Sequence, residues 1–137
     1  RSTLFPYTTL FRSGSWGMDT EIVPLAKPYD RWTGNVFQGK VLLNGKPVPG
    51  AEIEIEYLNH EPLLDKKAFA AKAEVKAPQS AFALQTIFAD DNGVFTFGIP
   101  RAGWWGFAAL DLDPEYKYKG KKCSRDAVMW IKAVDMK

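Results

Sequence analysis

The stretch that most constrains this chain runs from Phe88 to Leu110, F-A-D-D-N-G-V-F-T-F-G-I-P-R-A-G-W-W-G-F-A-A-L. Asn and Gly tolerate positive φ, and an Asp side chain can bond the backbone of its own turn, so Asp91-Asn92-Gly93 predicts a tight reversal. Apolar runs flank it, Phe82 to Phe88 before and Val94 to Phe97 after, which predicts a β-hairpin. Pro100 lacks a ladder donor and ends the second strand, Gly103 permits a sharp re-entry, and Trp104 to Leu110 predicts a third strand, central by its aromatic content.

The rest of the chain keeps this character. Glu21-Ile22-Val23-Pro24-Leu25 predicts a short edge strand, because proline suits an edge or a strand end. Val36 to Leu43 predicts a strand entering a turn at Asn44-Gly45. In Ala51 to Leu58 the residues Glu52, Glu54 and Glu56 share one face while Ile53, Ile55 and Tyr57 share the other, the period of a strand with one wet side. Asn59 to Ser80 carries Ala and Lys between prolines and predicts a loop with a short helix or an irregular strand. Tyr116 to Lys122 predicts an outward excursion, and Asp126 to Val134 a last strand. The fold class is therefore all-β, a single antiparallel β-sandwich of about seven strands.

Composition narrows the function classes. At 137 residues, 46% hydrophobic and 25% charged, the chain matches one folded domain. Its net charge of +2 is spread over interleaved acids and bases, so the footprint of a nucleic-acid binder is missing and no nucleic-acid partner is expected. The lysine run from Lys117 to Lys122, with Arg125, predicts a solvated turn. The single cysteine, Cys123, excludes an internal disulfide and a multi-Cys zinc site from this chain alone. No apolar run is long enough to span a bilayer. Residues 1–13 repeat their own pieces, Thr-Leu-Phe at Thr3 and again at Thr9, and resemble translated sequencing adapter. Residues 1–17 are accordingly set aside as non-native and disordered, and the domain is placed at 18–137, truncated at its amino end.

Two stretches are narrower than generic strands. Val41-Leu42-Leu43-Asn44-Gly45-Lys46-Pro47-Val48-Pro49-Gly50-Ala51 followed by a strand, and later Asp90-Asp91-Asn92-Gly93-Val94-Phe95, resemble prealbumin-like and carboxypeptidase-regulatory-like sandwiches, which are Ig-like in layout. Glu21 to Leu25 with Pro28-Tyr29, the block Gly98 to Leu110, and Trp130-Ile131-Lys132-Ala133-Val134 are similar to the periplasmic accessory component of nickel and cobalt uptake transporters of the energy-coupling-factor type. The resemblance covers about Glu21 to Lys137. It implies export to the periplasm, no catalytic activity, a membrane permease as partner, and Ni²⁺ or Co²⁺ as the ion handled. Family members begin with an exported segment and a first strand containing His, a region here replaced by the adapter-like sequence.

Late divalent metals favour nitrogen and mixed nitrogen–oxygen ligation. The candidate metal ligands are the single histidine, His60, its neighbour Glu61, and the loop carboxylates Asp90 and Asp111. Turn formation competes as a role for the aspartates, Asp91 and Asp113 above all. The Glu52, Glu54, Glu56 row is expected to be solvated or paired with lysines. Cys123 lies near lysines that favour a thiolate, yet no His or second Cys accompanies it. Arg101, Trp104 and Trp105 are the candidate partner-binding residues; alternation sends the two tryptophans to opposite faces, so one is core and the other available to a partner or a sugar. No nucleophile elbow, HExxH helix or Cys–His pairing supports an enzyme. The competing reading is a structural or adhesive prealbumin-like module of a larger secreted protein.

Overall fold

The computed structural model describes residues 13–137. Residues 1–12 of the set-aside opening lie outside the described residues. Residues 13–17 form no helix or strand, but they touch the fold: the Ser15 hydroxyl donates to Glu21 Oε2 at 2.7 Å and the Trp16 amide donates to Glu21 Oε1.

Thirteen strands follow: β1 (Thr20–Pro24), β2 (Arg31–Trp32), β3 (Val36–Leu43), β4 (Lys46–Pro47), β5 (Glu52–Tyr57), β6 (His60–Leu63), β7 (Ala68–Ala73), β8 (Leu84–Phe88), β9 (Val94–Gly98), β10 (Gly103–Ala109), β11 (Lys117–Tyr118), β12 (Lys121–Lys122) and β13 (Ala127–Val134). In the first sheet β3 pairs with β1 along one edge and with β9, then β4, along the other. The second sheet has the order β2-β13-β10-β5-β8. Every pairing in the two sheets is antiparallel except the short parallel one between β2 and β13. The result is the expected all-β sandwich, with more strands than about seven because two-residue bridges and two small ribbons, β6-β7 and β11-β12, add to the count.

Alternation builds the core. Ile53 and Ile55 of β5, Trp105, Phe107 and Ala109 of β10, and Ile131 of β13 face inward, against Ile22, Phe37, Val41 and Phe95 of the first sheet. Phe107 sits at the centre, with ring centroids 5.1 Å from Phe37, 5.5 Å from Phe95 and 5.7 Å from Phe97. The predicted central position of the Trp104 to Leu110 segment holds, since β10 pairs with β13 on one side and β5 on the other.

Two expectations change. Residues 82–88 and 94–97 form no hairpin: β8 pairs with β5 in the second sheet, whereas β9 pairs with β3 in the first. The reversal is real, but it carries the chain from one sheet to the other. Asp90 organises it, its Oδ1 accepting the amides of Asn92 at 2.8 Å and Val94 at 2.9 Å while its own amide donates to Val94 O at 2.9 Å. The second change is at residues 59–80. This segment holds the β6-β7 ribbon, whose ends are joined by a 3-10 turn at Leu64–Lys66. Cross-strand pairing there overrides the helix preference of its Ala and Lys residues.

Gly39 of β3 lies opposite Phe95 of β9. A Cβ at this position would stand 2.6 Å from the Phe95 ring and 2.9 Å from Ile22 Cγ2, inside the closed core. Gly39→Ala is therefore expected to lower stability by about 1–3 kcal/mol, the usual cost of overpacking. Urea unfolding followed by near-ultraviolet circular dichroism checks this, and an unchanged midpoint would show that the ring has room to move.

Candidate functional site

At the end of the second sheet where β5 finishes and β10 begins, the β6-β7 ribbon stands away from the sandwich and leaves a groove of about 1040 Å³. Its walls include Tyr57, His60, Glu61, Phe69, Glu74, Arg101, Trp104, Trp130 and Lys132.

The sheet wall follows from register. Trp104 of β10 and Trp130 and Lys132 of β13 point to the outer face, Trp104 pairing with Lys132 and Gly106 with Trp130. Gly106 is what lets Trp130 lie down: a Cβ there would meet the indole ring at 2.8 Å. The ring covers the backbone of β10 and stays 45% exposed. Lys132 Nζ sits 5.6 Å from the Trp104 ring centroid, within cation–π range. Trp32, on β2, continues the exposed aromatic face beside Val134.

The floor at the turn before β10 is tightly specified. The Tyr57 hydroxyl donates to Ala102 O at 3.1 Å, Arg101 Nε donates to the Tyr57 oxygen at 3.3 Å, and Trp105 Nε1 donates to Arg101 O at 2.9 Å. Gly103 is at φ +126 with the Tyr57 ring packed where a side chain would go. The hydrogen bond that Arg101 donates to Tyr57, and then the charge of Glu74 3.7 Å away, push the Arg101 guanidinium pKa above its ordinary value; like any arginine it brings a positive charge, here to the mouth of the groove.

The ribbon wall is clamped at its base. Asn59 Nδ2 donates to Val75 O at 2.8 Å and the Val75 amide donates back to Asn59 Oδ1 at 2.7 Å. Glu74 N adds a bond to Asn59 O at 2.8 Å. Further out, His60 Nδ1 is 2.8 Å from Ala70 O. A carbonyl can only accept, so Nδ1 carries the proton; in the neutral ring Nε2 is then the acceptor nitrogen.

The structure thus brings His60, Glu61, Arg101 and Trp104 into one groove. It separates the other candidates from them. Trp105 is 5% exposed and belongs to the core, as alternation requires once Trp104 faces out, so it is not a partner-binding residue. Asp90 and Asp111 lie at the opposite end of β5 from His60. Asp90 is consumed by its turn; Asp111, at φ +46, donates its amide to Asp126 Oδ1 at 2.8 Å. The four proposed metal ligands therefore do not converge, and among the described residues no group of three or more His, Cys, Asp or Glu side chains is placed to hold a metal ion. Glu52, Glu54 and Glu56 do face outward, between Gly106 and Ala108 on one side and Leu84, Thr86 and Phe88 on the other, with no lysine opposite them.

A profile described as domain of unknown function DUF4198 matches residues 8–113, well over half of the chain. The chain belongs to the DUF4198 family. No curated protein and no solved structure matches it. The DUF4198 match takes in β1 to β10, and so the β6-β7 ribbon, Arg101 and Trp104, and stops before the β13 wall of the groove.

The residues missed from the sequence, Tyr57, Phe69, Glu74, Trp130 and Lys132, are those that reach the groove through pairing. Trp130 and Lys132 were within reach, because period two in Val128 to Val134 places both on the face opposite Ile131. Phe69 and Glu74 depend on the β6-β7 pairing, which no local pattern announced.

In this DUF4198 domain the Asn59 bonds hold the base of a ribbon that lies outside the sandwich core. Asn59→Ala is expected to raise amide hydrogen exchange across residues 60–73 by about tenfold or more, from a lost bond pair of about 1–3 kcal/mol. Exchange at Phe107 and Ile55 is expected to stay unchanged; a uniform rise through the sandwich would show that the ribbon is part of the cooperative core.

Proposed function

We propose that this protein is a non-catalytic accessory domain of a bacterial nickel or cobalt uptake transporter, working in the periplasm by docking on the membrane permease through the groove between β6-β7 and the Trp104–Trp130 face. The observation that carries the docking role is the flat, half-exposed Trp130 ring seated on Gly106 next to Trp104, Lys132 and Arg101. Exposed aromatics clustered with an arginine on a rigid surface are the composition of an interface anchor, where a few Trp, Tyr and Arg side chains dominate the binding energy. The transport context rests on the resemblance of the Gly98 to Leu110 block and of the closing Trp130 to Val134 segment to the transporter component.

Docking is favoured over carriage of the metal by the donor set. His60 offers one imidazole nitrogen and Glu61 one carboxylate, and the aspartates once grouped with them are held in turns at the far end. Late divalent ions want more donors than this pair supplies.

The binding partner to test is a nickel or cobalt uptake permease of the energy-coupling-factor type, co-expressed with this chain and purified in detergent. Co-purification is expected with the parent chain and is expected to fail with Trp104→Ala/Trp130→Ala, a loss of about 2 kcal/mol or more for anchors of this kind. Cellular Ni²⁺ or Co²⁺ uptake is expected to fall in parallel, with the circular dichroism of the variant unchanged. Retained co-purification and uptake in a folded double variant would reject the groove as the docking site. Calorimetric titration of Ni²⁺ and Co²⁺ into the isolated chain separates the remaining case: saturable binding abolished by His60→Ala would make the domain a metal carrier.

A further inference from the structure

We propose that the free edge of β8 joins a second copy of this chain, the two strands pairing antiparallel about a two-fold axis at Thr86.

The edge is chemically unguarded. Proteins protect exposed strand edges with lysine, proline or a bulge, and β1 carries Pro24 for its part. The strand Leu84-Gln85-Thr86-Ile87-Phe88 has no charge, no proline and no glycine, and the uncharged residues extend back through Ser80 to Ala83. Phe88 is 65% exposed and Leu84 37%.

Backbone geometry says which groups are free. β8 pairs antiparallel with β5, Ile87 opposite Ile53 and Gln85 opposite Ile55, and the Ala89 amide donates to Ala51 O at 2.9 Å. Hydrogen-bonded positions alternate along an antiparallel strand. Gln85 and Ile87 therefore bond inward to β5, and the amides and carbonyls of Leu84, Thr86 and Phe88 point out from the sheet. The other uncharged edge, β9, is partly closed, because both Val94 amide and carbonyl are taken by Asp90.

A two-fold axis at Thr86 uses all of the outward groups. Thr86 bonds to Thr86 of the second copy in both directions, and Leu84 and Phe88 exchange bonds with the other copy's Phe88 and Leu84. The side chains agree with the backbone. Leu84, Thr86 and Phe88 share the outer face, so the pairing sets Leu against Phe twice and Thr against Thr once, combinations that favour cross-strand contact. No charge meets a like charge, since the glutamates of β5 lie one strand further in. The surface is self-complementary, as an isologous dimer contact must be.

Sedimentation equilibrium of the full chain over a range of concentrations is expected to show a reversible monomer–dimer equilibrium. Thr86→Lys places like charges across the axis, while within each copy the lysine lies opposite Glu54, so the fold is preserved and the dissociation constant is expected to rise about tenfold or more. In a Cys123→Ser background, Thr86→Cys is expected to cross-link with itself on mild oxidation, its Cα atoms being about 5.5 Å apart in a hydrogen-bonded pair, and Gln85→Cys is not. A monomer at all concentrations would overturn the proposal. So would a dimer indifferent to Thr86→Lys, or one cross-linked as readily through position 85.

Discussion

Three aromatic rings in this domain occupy the volume that a Cβ would take on a strand glycine: Phe95 over Gly39, Tyr57 over Gly103, and Trp130 over Gly106. Much else depends on these seats. The first brings the two sheets to contact distance, because Phe95 can reach Phe37 and Phe107 only by lying across the β3 backbone. The second fixes the turn that launches β10. The third flattens an indole on the outer surface of the second sheet. A glycine in a strand weakens it by itself, through lost side-chain packing and added chain entropy. Here the ring that fills the gap restores the packing, and the pairing of one glycine with one ring pins the register of both strands.

The same device links core to surface. Trp105 and Trp104 are neighbours on one strand, so burying the first obliges the second to face out. Trp105 is held inward by contacts with Tyr57 and Phe97 at 5.0 and 5.5 Å and by its bond to Arg101 O. The exposure of Trp104 is thus a consequence of core packing, but the flat seat of Trp130 is not: position 106 faces the outer side, where the missing side chain leaves room for the indole. The open Trp130 face is a choice made at the surface.

The fold class was legible because its signals are local. Strict alternation in Glu52 to Tyr57, proline in β1, and the turn residues around Asn44 and Asn92 each report on a few neighbouring residues. What was not legible is non-local. The Asp90 to Gly93 reversal reads the same whether the strands beside it pair with one another or are passed to different sheets. Its outcome was decided by partners distant in sequence, β5 for one strand and β3 for the other. The β6-β7 ribbon was hidden for a related reason: its alanines and lysines have a helical preference that pairing overrides. At the groove, Arg101 and Trp104 could be singled out from one segment. Their grouping with His60 and Glu61, and the exclusion of Asp90 and Asp111, required knowing which end of β5 each loop occupies.

The open outer face and the unguarded edge belong to the same sheet, and this constrains how they work together. Antiparallel pairing that keeps Leu84, Thr86 and Phe88 of both copies on one face has its two-fold axis perpendicular to the sheet. The outer faces of the two copies then lie on the same side of one continuous sheet, and the Trp104–Trp130 grooves, being at the β5-exit end of each copy, lie toward opposite ends of it. In the proposed dimer the two grooves face one plane, so one partner can engage both without turning either copy over. The gain is in effective concentration: a groove that is weak alone becomes an intramolecular contact once its twin is engaged. In the proposed dimer the half-exposed aromatic groove and the β8 edge become complementary parts of a single surface.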